Sequence, residues 1–410
     1  MPLSSPGAEC ASDARCGNAV VVLEGQYRKG ERGELRSGFF QDPQLLLPQR
    51  MEASRGAMLL SGAAACARHR IVEILVLPDR EALHTESLER TASPMPPISG
   101  MARRVEIAGD GGGSLRGLRS GLSATLLGEV ERLACIHGTE LERRLRQAFP
   151  FREIIPLSDA MAKLRMRKSD AEIARIREAV RVTAEGQLRG WRSLQSASNE
   201  FEVAADITHE FLRRGAERHA FAPIVAAGAN ACVLHYSRNR APLRKGDLAI
   251  LDVGAECDGY AGDLTRTIPV GGRFSKRHRA LYEAVLTVQK EVIAAVRPGA
   301  SIAKQIPGSL HQLAVARFNE MRLGPRKEPL GNFFPHGIGH HLGMDVHDPG
   351  DPLSPLEPGM VVTIEPGVYL PEEGIGIRIE DDVLVTAHGS LVLSDALPKE
   401  VADVEALLRS

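Results

Sequence analysis

The chain has 410 residues, of which 51 are lysine or arginine and 52 are aspartate or glutamate, so its formal net charge is −1. Hydrophobic residues make up 43% and charged residues 25%, values typical of a soluble globular protein that exclude a disordered chain. The balanced charge and the 4% aromatic content argue against a nucleic-acid partner, which requires a basic surface and stacking rings.

Targeting and redox signals are weak throughout the chain. No run approaches 18 consecutive apolar residues, so no transmembrane helix and no membrane partner are predicted. The first 30 residues have no apolar run after a basic start, so no secretory signal is predicted. Six cysteines without C-x-x-C spacing do not form a disulfide framework. We therefore expect a cytoplasmic protein with reduced thiols.

The length predicts two domains. Residues 1–17 are small and polar, which indicates a disordered lead-in, and residues 18–157 carry mixed, weak patterns and are assigned to the first domain. Within that domain Ile71 to Leu77 is typical of a buried strand, and Thr139 to Phe149 of an amphipathic helix. Residues 158–410 have sharper signals and are predicted to form the second domain.

Helices of the second domain are predicted from caps and apolar spacing. The first begins at the capping box Ser169–Glu172, and the second runs from Asn199 to about Arg214. The third runs from Lys276 to Val296, the fourth begins near Ser301 with a break at Pro307, and a short last helix runs from Lys399 to Leu408. The remainder consists of β-rich runs separated by glycine and proline, among them Asp247 to Val253. Strands mixed with paired helices predict an α+β domain built on an antiparallel sheet.

Two aspartates flank a predicted hairpin. The segment LDVGAECDGYAGD folds at Cys257 to Gly259, which brings Asp252 and Asp263 nearly opposite one another. Asp252 closes an apolar run, where an unpaired carboxylate is costly. A salt-bridged or turn-capping role is the alternative for either residue alone.

Histidines cluster in the next segment, PHGIGHHLGMDVHD. Four of the 13 histidines fall within 12 residues: His336, His340, His341 and His347. Neutral imidazole is a common metal ligand and proton carrier, and this density favours a functional site over structural histidines.

Two further strands carry charge. In MVVTIEPG the side chains of Val361, Thr363 and Glu365 share one face, and Pro366 ends the strand. In GIGIRIEDD strict alternation places Arg378 and Glu380 together, opposite a face of isoleucines. The inventory is thus two aspartates, two glutamates and at least one histidine. Two divalent cations would balance four carboxylates, and oxygen with imidazole ligands suits manganese, iron, cobalt or zinc.

The second half of the chain resembles the pita-bread metallopeptidases, and among them the Xaa-Pro aminopeptidases (aminopeptidase P) most closely. The resemblance runs from about residue 164 to residue 393 and rests on the words LDVGAECDGYAGDLTRT, PHGIGHHLGMDVHD, TIEPGVY and GIGIRIEDD. It implies a pita-bread catalytic domain preceded by a divergent, smaller α/β domain.

The resemblance also implies roles for single residues. The implied metal ligands are Asp252, Asp263, His340, Glu365 and Glu380. Of these, Asp263 and Glu380 would bridge the two ions. The implied substrate-binding and catalytic residues are His235, His336, His347, Tyr369 and Arg378, together with Glu365 as the proton acceptor. His341 and Asp348 have weaker claims, as supporting residues.

The implied activity is a dinuclear metal-dependent aminopeptidase that releases the N-terminal residue from peptides with proline second. A metal-bridging hydroxide would attack the scissile carbonyl, and Mn²⁺ is the expected metal, with Co²⁺, Fe²⁺ and Zn²⁺ as alternatives. Relatives are commonly homo-oligomers, dimers or tetramers. A prolidase, which cuts Xaa-Pro dipeptides, would share every ligand; a methionine aminopeptidase and a non-catalytic or metal-free pita-bread protein are more distant alternatives.

Two departures concern specificity and not the metal ligands. The aromatic-rich stretch usual in the first domain is replaced by PQLLLP at 43–48. The segment from residue 348 to 356, DPGDPLSPL, is short and holds no arginine, where many relatives carry a longer basic loop. Both changes concern the expected walls of the substrate site.

Overall fold

A computed structural model describes residues 165–409 continuously, together with 19–24, 71–77, 132–135, 143, 146–147, 150–151, 153–156 and 162–163. The chain divides into two compact units, Met1–Met161 and Ala162–Ser410. The predicted lead-in lies outside the described residues, and the predicted domain limits at 18–157 and 158–410 stay predictions.

The described residues of the first unit form one sheet. Its strands are β1 (Ala19–Glu24), β2 (Ile71–Leu77), β3 (Arg132–Cys135) and β4 (Glu153–Pro156). They pair in the order β2-β1-β3-β4, and every pair is parallel. Parallel sheets are characteristic of α/β folds, in agreement with the predicted class of this domain. The helix predicted at Thr139–Phe149 falls mostly outside the described residues.

The second unit mixes helices with short antiparallel strands. Its helices are α1 (Asp170–Ser193), α2 (Glu200–Arg213), α3 (Lys276–Ala295), α4 (Leu310–Glu320) and α5 (Val401–Leu407). Its strands are β5 (Arg218–His219), β6 (Ile224–Ala227), β7 (Leu248–Val253), β8 (Ala255–Cys257), β9 (Tyr260–Ala261), β10 (Leu264–Pro269), β11 (Val361–Ile364), β12 (Gly367–Leu370), β13 (Ile375–Arg378), β14 (Asp381–Thr386) and β15 (Gly389–Val392).

All strand pairs described in the second unit are antiparallel, which confirms the predicted α+β class. The strands form four small sheets, ordered β10-β7-β6, β11-β14-β15, β12-β13 and β5-β8-β9. Within residues 165–409 no helix has both the length and the apolar composition needed to cross a membrane.

The helix starts follow the predicted caps, with one exception. Ser169 caps α1 through a full capping box with Glu172, as predicted. The fourth helix was expected near Ser301, but α4 begins only at Leu310, after the N-cap Ser309. The prediction of helix before the break is wrong, because Pro307 lacks the backbone N–H that a continuous helix requires.

Helix α1 fixes the two strands that flank the predicted hairpin. The buried Gln187 side chain donates from Nε2 to the carbonyls of Leu251, at 2.9 Å, and Leu264, at 2.7 Å. Its Oε1 accepts from the indole of Trp191, at 3.2 Å. Each polar atom of this buried amide is therefore satisfied, and β7 and β10 are held side by side against the helix.

The sheets meet at one junction beside the predicted site. Thr267 of β10 donates from Oγ1 to the carbonyl of Arg378, at 2.9 Å, and accepts from the backbone N–H of the same residue, at 3.1 Å. The buried Arg266 donates to the Asp381 carboxylate, at 2.7 Å. These contacts align β10 with the β13–β14 connection, where Glu380 lies.

Candidate metal centre

Five side chains predicted as ligands come from five backbone positions that the sheets bring together. They lie at the end of β7, just before β10, beside β11, just after β11, and between β13 and β14: Asp252, Asp263, His340, Glu365 and Glu380. The predicted hairpin is confirmed, because β8 and β9 pair through Cys257 and Tyr260 across a turn at Asp258–Gly259. Asp252 pairs with Thr265 of β10, and Asp263 lies two residues before Thr265, just ahead of that strand.

The histidine segment runs alongside β11. Backbone hydrogen bonds join Thr363 to His340, at 2.9 Å, and Glu365 to Ile338, at 2.9 Å. Gly339 is required between them, because a Cβ at that position would lie 1.8 Å from the carbonyl oxygen of Thr363. The glycine-rich spacing of the segment thus permits the close backbone approach that carries His340 to Glu365.

Three of the residues could hold a metal ion as the structure stands. Asp263, His340 and Glu380 each offer one ligand atom, and these atoms all lie within 4.8 Å of one another. His340 Nε2 lies 3.4 Å from Asp263 Oδ2 and 3.6 Å from Glu365 Oε1.

The tautomer of His340 is fixed by its other nitrogen. Nδ1 lies 3.1 Å from the carbonyl oxygen of His341, and since a carbonyl only accepts, Nδ1 carries the proton. In the neutral ring the lone pair of Nε2 therefore points at two carboxylates. A cation between these atoms would remove the repulsion between the lone pair and the carboxylate oxygens. A backbone hydrogen-bond partner on the second ring nitrogen is typical of metal-binding histidines.

Three buried carboxylate oxygens at or beside the site have no hydrogen-bond partner among the described residues. They are Oδ1 of Asp252, Oδ1 of Asp263 and Oδ1 of Asp382. Burying an oxygen without a partner costs free energy, and carboxylate oxygens are preferred ligands of hard divalent cations. The residues present therefore fit a site for divalent metal.

The electrostatics of the carboxylates agree with that fit. Burial raises the pKa of Asp263 well above its usual value, and the neighbouring charge of Asp252 adds to the effect. Burial also raises the pKa of Glu380, next to Asp263, and the pKa of Glu365. Each shift has the sign expected where several carboxylates share one dry site, and bound cations would favour the ionised forms.

A further buried acid beside the site accepts a hydrogen bond from the backbone. Asp382, which was not assigned a role from the sequence, accepts from the N–H of Asp263 through Oδ2, at 3.0 Å. Thr265 donates to Glu380 Oε2, at 2.6 Å, and Thr363 lies 3.4 Å from Glu365 Oε1. Thr265 is two residues from Asp263, and Thr363 is two residues from Glu365, a spacing that becomes informative only once the strand register is known.

Arg378 connects three members of the site. Its buried guanidinium donates to Asp252 Oδ2, at 2.6 Å, to the hydroxyl of Tyr369, at 2.7 Å, and to Thr265 Oγ1, at 3.2 Å. The structure thus places Arg378 and Tyr369 beside the candidate ligands, and their roles towards the substrate stay predictions.

His336 is engaged at both ring nitrogens. Nδ1 donates to the carbonyl of Gly337, at 2.8 Å, so Nε2 accepts from the Tyr369 hydroxyl, at 2.9 Å. Burial lowers the pKa of His336 to about 3, and the charge of Arg378 adds to that effect. The ring is therefore neutral at neutral pH, and its hydrogen bonds are already used within the protein.

His235 and His347 differ from His336, because their rings form no hydrogen bond with any described residue. The rings of His347 and His340 meet edge to face, with centroids 4.3 Å apart. Burial lowers the pKa of His347, and the charges of His340 and His235 contribute to that effect. These two histidines have nitrogens available to a substrate.

The two weaker candidates, His341 and Asp348, belong to the histidine segment, and Asp348 contacts residues just before α1. Asp348 is buried and accepts from Arg165 and from Lys168 Nζ, the latter at 3.1 Å. Burial lowers the pKa of His341 to about 4, with Lys168 adding to the effect. Asp348 thereby ties the backbone next to His347 to the start of the second unit, which agrees with a supporting role.

Comparisons with known proteins agree with this geometry. The sequence model of metallopeptidase family M24 matches residues 174–387, slightly more than half of the chain. The Xaa-Pro aminopeptidase of Haemophilus influenzae is 39% identical over 280 residues, which cover 64% of this chain and 65% of the relative. The chain spans about half to two thirds of the length of the curated relatives it matches.

Solved structures give the same result. Pseudomonas aeruginosa aminopeptidase PepP is 35% identical with a TM-score of 0.63, over 68% of this chain and 71% of that chain. Escherichia coli aminopeptidase P with the inhibitor Pro-Leu is 33% identical with a TM-score of 0.62, over 68% and 71%. The pita-bread fold expected from the sequence is confirmed, and the chain belongs to metallopeptidase family M24.

Proposed function

We propose that this protein is a dinuclear metal-dependent aminopeptidase that releases the N-terminal residue from peptides with proline in second position. The observation that carries the proposal is the lone pair of His340 Nε2, which faces Asp263 and Glu365 within a cluster of four buried or half-buried carboxylates. Relatives named Xaa-Pro aminopeptidase, at about 39% identity, support the substrate class.

The proposed ligands of two divalent cations are Asp252, Asp263, His340, Glu365 and Glu380, with Asp263 and Glu380 shared between the ions. Bound divalent cations would neutralise the carboxylates, polarise the scissile carbonyl and make water nucleophilic at neutral pH. We propose Mn²⁺ as the working metal; Co²⁺, Fe²⁺ and Zn²⁺ suit the same oxygen and imidazole ligands.

Glu365 is the proposed proton acceptor. Its carboxylate lies at the edge of the cluster, within 3.9 Å of His336 Nδ1 and 3.6 Å of His340 Nε2, and burial raises its pKa. A raised carboxylate pKa makes the group a better base for the proton of the attacking water and a better donor afterwards.

His235 and His347 are the proposed contacts to the peptide. Neutral rings with unused N–H groups can donate to the scissile carbonyl oxygen and steady the tetrahedral intermediate. A proton must also reach the imide nitrogen of the leaving proline, and both rings have nitrogens without a hydrogen-bond partner among the described residues.

Arg378, Tyr369 and His336 form a continuous chain of hydrogen bonds, from Asp252 to the carbonyl of Gly337. We propose that this chain orients the site: Arg378 holds Asp252 and Tyr369 holds the ring of His336. Its members would act on the substrate by shaping the space beside it.

A substrate panel tests the proposed function. An Arg-Pro-Pro tripeptide is expected to lose its N-terminal arginine, and an Arg-Ala-Pro control is expected to stay intact, when release is followed by mass spectrometry. The imide nitrogen has no N–H, so this selectivity must come from the shape of the pocket around proline. Cleavage of Gly-Pro alone would identify a prolidase instead, and cleavage before alanine would contradict proline specificity.

Chelation is the matched control for that panel. Activity is expected to disappear after metal removal and to return with Mn²⁺. A chain that binds peptides without cleaving them would support the non-catalytic alternative. Cytoplasmic location and assembly into a homo-oligomer are further proposals, which rest on the composition and on the resemblance.

A further inference from the structure

His235 depends on its own backbone for its position. The ring is exposed and forms no hydrogen bond with any described residue, while its neighbours Leu234 and Tyr236 pack against the apolar cluster that contains Tyr369 of the candidate site. It belongs to the loop between β6 and β7, residues 228–247, which we call the His235 loop. Whatever fixes this loop also fixes His235.

One buried carboxylate holds the His235 loop at several points. Glu200, the first residue of α2, is fully buried. Its Oε1 accepts from the N–H of Ala227, at 2.9 Å, and from Asn230 Nδ2, at 3.0 Å. Its Oε2 accepts from the hydroxyl of Tyr236, at 2.8 Å, and from the N–H of Ala241, at 2.8 Å. The four donors lie on both sides of His235, and Tyr236 is its direct neighbour.

The arrangement requires a carboxylate. All four of these donors are uncharged, and two of them point at each oxygen, so both oxygens must accept. A glutamine of the same shape would turn its NH₂ group towards two donors and leave them buried without partners. The position at the start of a helix favours the negative charge, because the helix dipole is positive there.

Independent contacts show that the loop is built as a fixed element. Asn239, with φ of 47°, donates from Nδ2 to the carbonyl of Pro223, at 2.8 Å, and accepts from the N–H of Val225, at 2.9 Å. The backbone N–H of Glu200 donates to the carbonyl of Ala241, at 3.0 Å. The residues around His235 are therefore tied to β6 and to α2.

We propose that Glu200 is a positioning residue for the peptidase reaction: it fixes the His235 loop so that the exposed imidazole of His235 meets the substrate. This inference rests on the proposed function of the site. Glu200 does not touch the substrate, and its effect on the reaction passes through His235.

A double-mutant cycle tests the proposal. Glu200→Gln is expected to lower kcat/KM for an Arg-Pro-Pro peptide by about 10- to 100-fold, the cost of a small misplacement of a reacting group. In a His235→Ala background the same change is expected to alter kcat/KM by less than about twofold, because coupled residues are not additive. Equal losses in the two backgrounds would overturn the proposal and leave Glu200 a purely structural residue.

Two further variants keep the test decisive. Tyr236→Phe removes one of the four donors without burying a new polar group, and it should give a smaller loss with the same dependence on His235. Glu202→Gln is the matched control, since Glu202 contacts Ser198 and Asn199 and not the loop; its activity should match that of the wild type. A full loss of coupling in Tyr236→Phe would overturn the proposal even if Glu200→Gln fails to fold.

Hydrogen exchange supplies a measurement that does not depend on activity. In the full-length chain, peptides covering 228–241 are expected to take up deuterium faster in Glu200→Gln than in the wild type, and Glu202→Gln is expected to match the wild type. Unchanged exchange in Glu200→Gln would contradict the proposal. A wild-type chain that cleaves no proline peptide would refute the proposed function, while the exchange data would still test the role of Glu200 in the loop.

Discussion

Asp263→Asn is expected to abolish peptidase activity and to leave the fold nearly intact. The change keeps the shape of the side chain but removes a charge from the cluster in which Asp263 Oδ2 lies 3.4 Å from His340 Nε2. An amide is a weak ligand for divalent metal, so bound metal should fall together with turnover. Turnover at saturating Mn²⁺ and metal content per chain are the measurements.

Asp258→Asn is the matched control for this substitution. Asp258 lies in the turn of the same hairpin, five positions from Asp263, and is exposed. It undergoes the same chemical change without a contact to the site, so activity and metal content should stay at wild-type levels. Unchanged turnover in Asp263→Asn would reject its role as a ligand, whatever the control does.

Arg378→Lys is expected to reduce activity and metal affinity by about 10- to 100-fold, the usual cost of removing a group that orients metal ligands. Lysine keeps the charge but not the planar fork that reaches Asp252, Tyr369 and Thr265 together. Oδ2 of Asp252 and the hydroxyl of Tyr369 would then lose their fixed positions. Kinetics over a range of Mn²⁺ concentrations separates the loss of metal from the loss of turnover.

Arg277→Lys is a suitable control for Arg378→Lys. Arg277 likewise donates to a carboxylate, with two hydrogen bonds to that of Glu373, but at a partly exposed position. Exposed pairs contribute little, so stability and activity should change hardly at all. If Arg378→Lys behaved like this control, the proposed orienting role of Arg378 would be wrong.

Much of the second unit could be predicted from the sequence, because local signals and the final structure agree. The capping box at Ser169 and the turn at Asp258–Gly259 place α1 and the hairpin where the patterns predicted them. The start of α4 could not be predicted as well, since apolar spacing continued through a segment that Pro307 keeps out of the helix. In the first unit only β2 among the predicted elements lies fully within the described residues, as predicted.

In the candidate site, too, some residues could be predicted from the sequence and others could not. Acids and histidines at strand ends indicated the ligands, because unpaired carboxylates in apolar runs need a partner. The polar groups around them could not be assigned roles from one sequence, since a threonine such as Thr265 or an acid such as Asp382 is unremarkable until the strand register is known. Glu200 is harder still: its four partners come from the chain between residues 227 and 241, and only the folded loop brings them to one carboxylate.

The proposed metal centre consists of five side chains, Asp252, Asp263, His340, Glu365 and Glu380. The most direct measurement is the number of divalent ions bound per chain, by equilibrium dialysis of the chelator-treated wild type against Mn²⁺ followed by elemental analysis. The proposed site predicts up to two ions per chain, lost in Asp263→Asn and retained in Asp258→Asn. A folded wild-type chain that holds no ion after Mn²⁺ reconstitution would contradict this proposal.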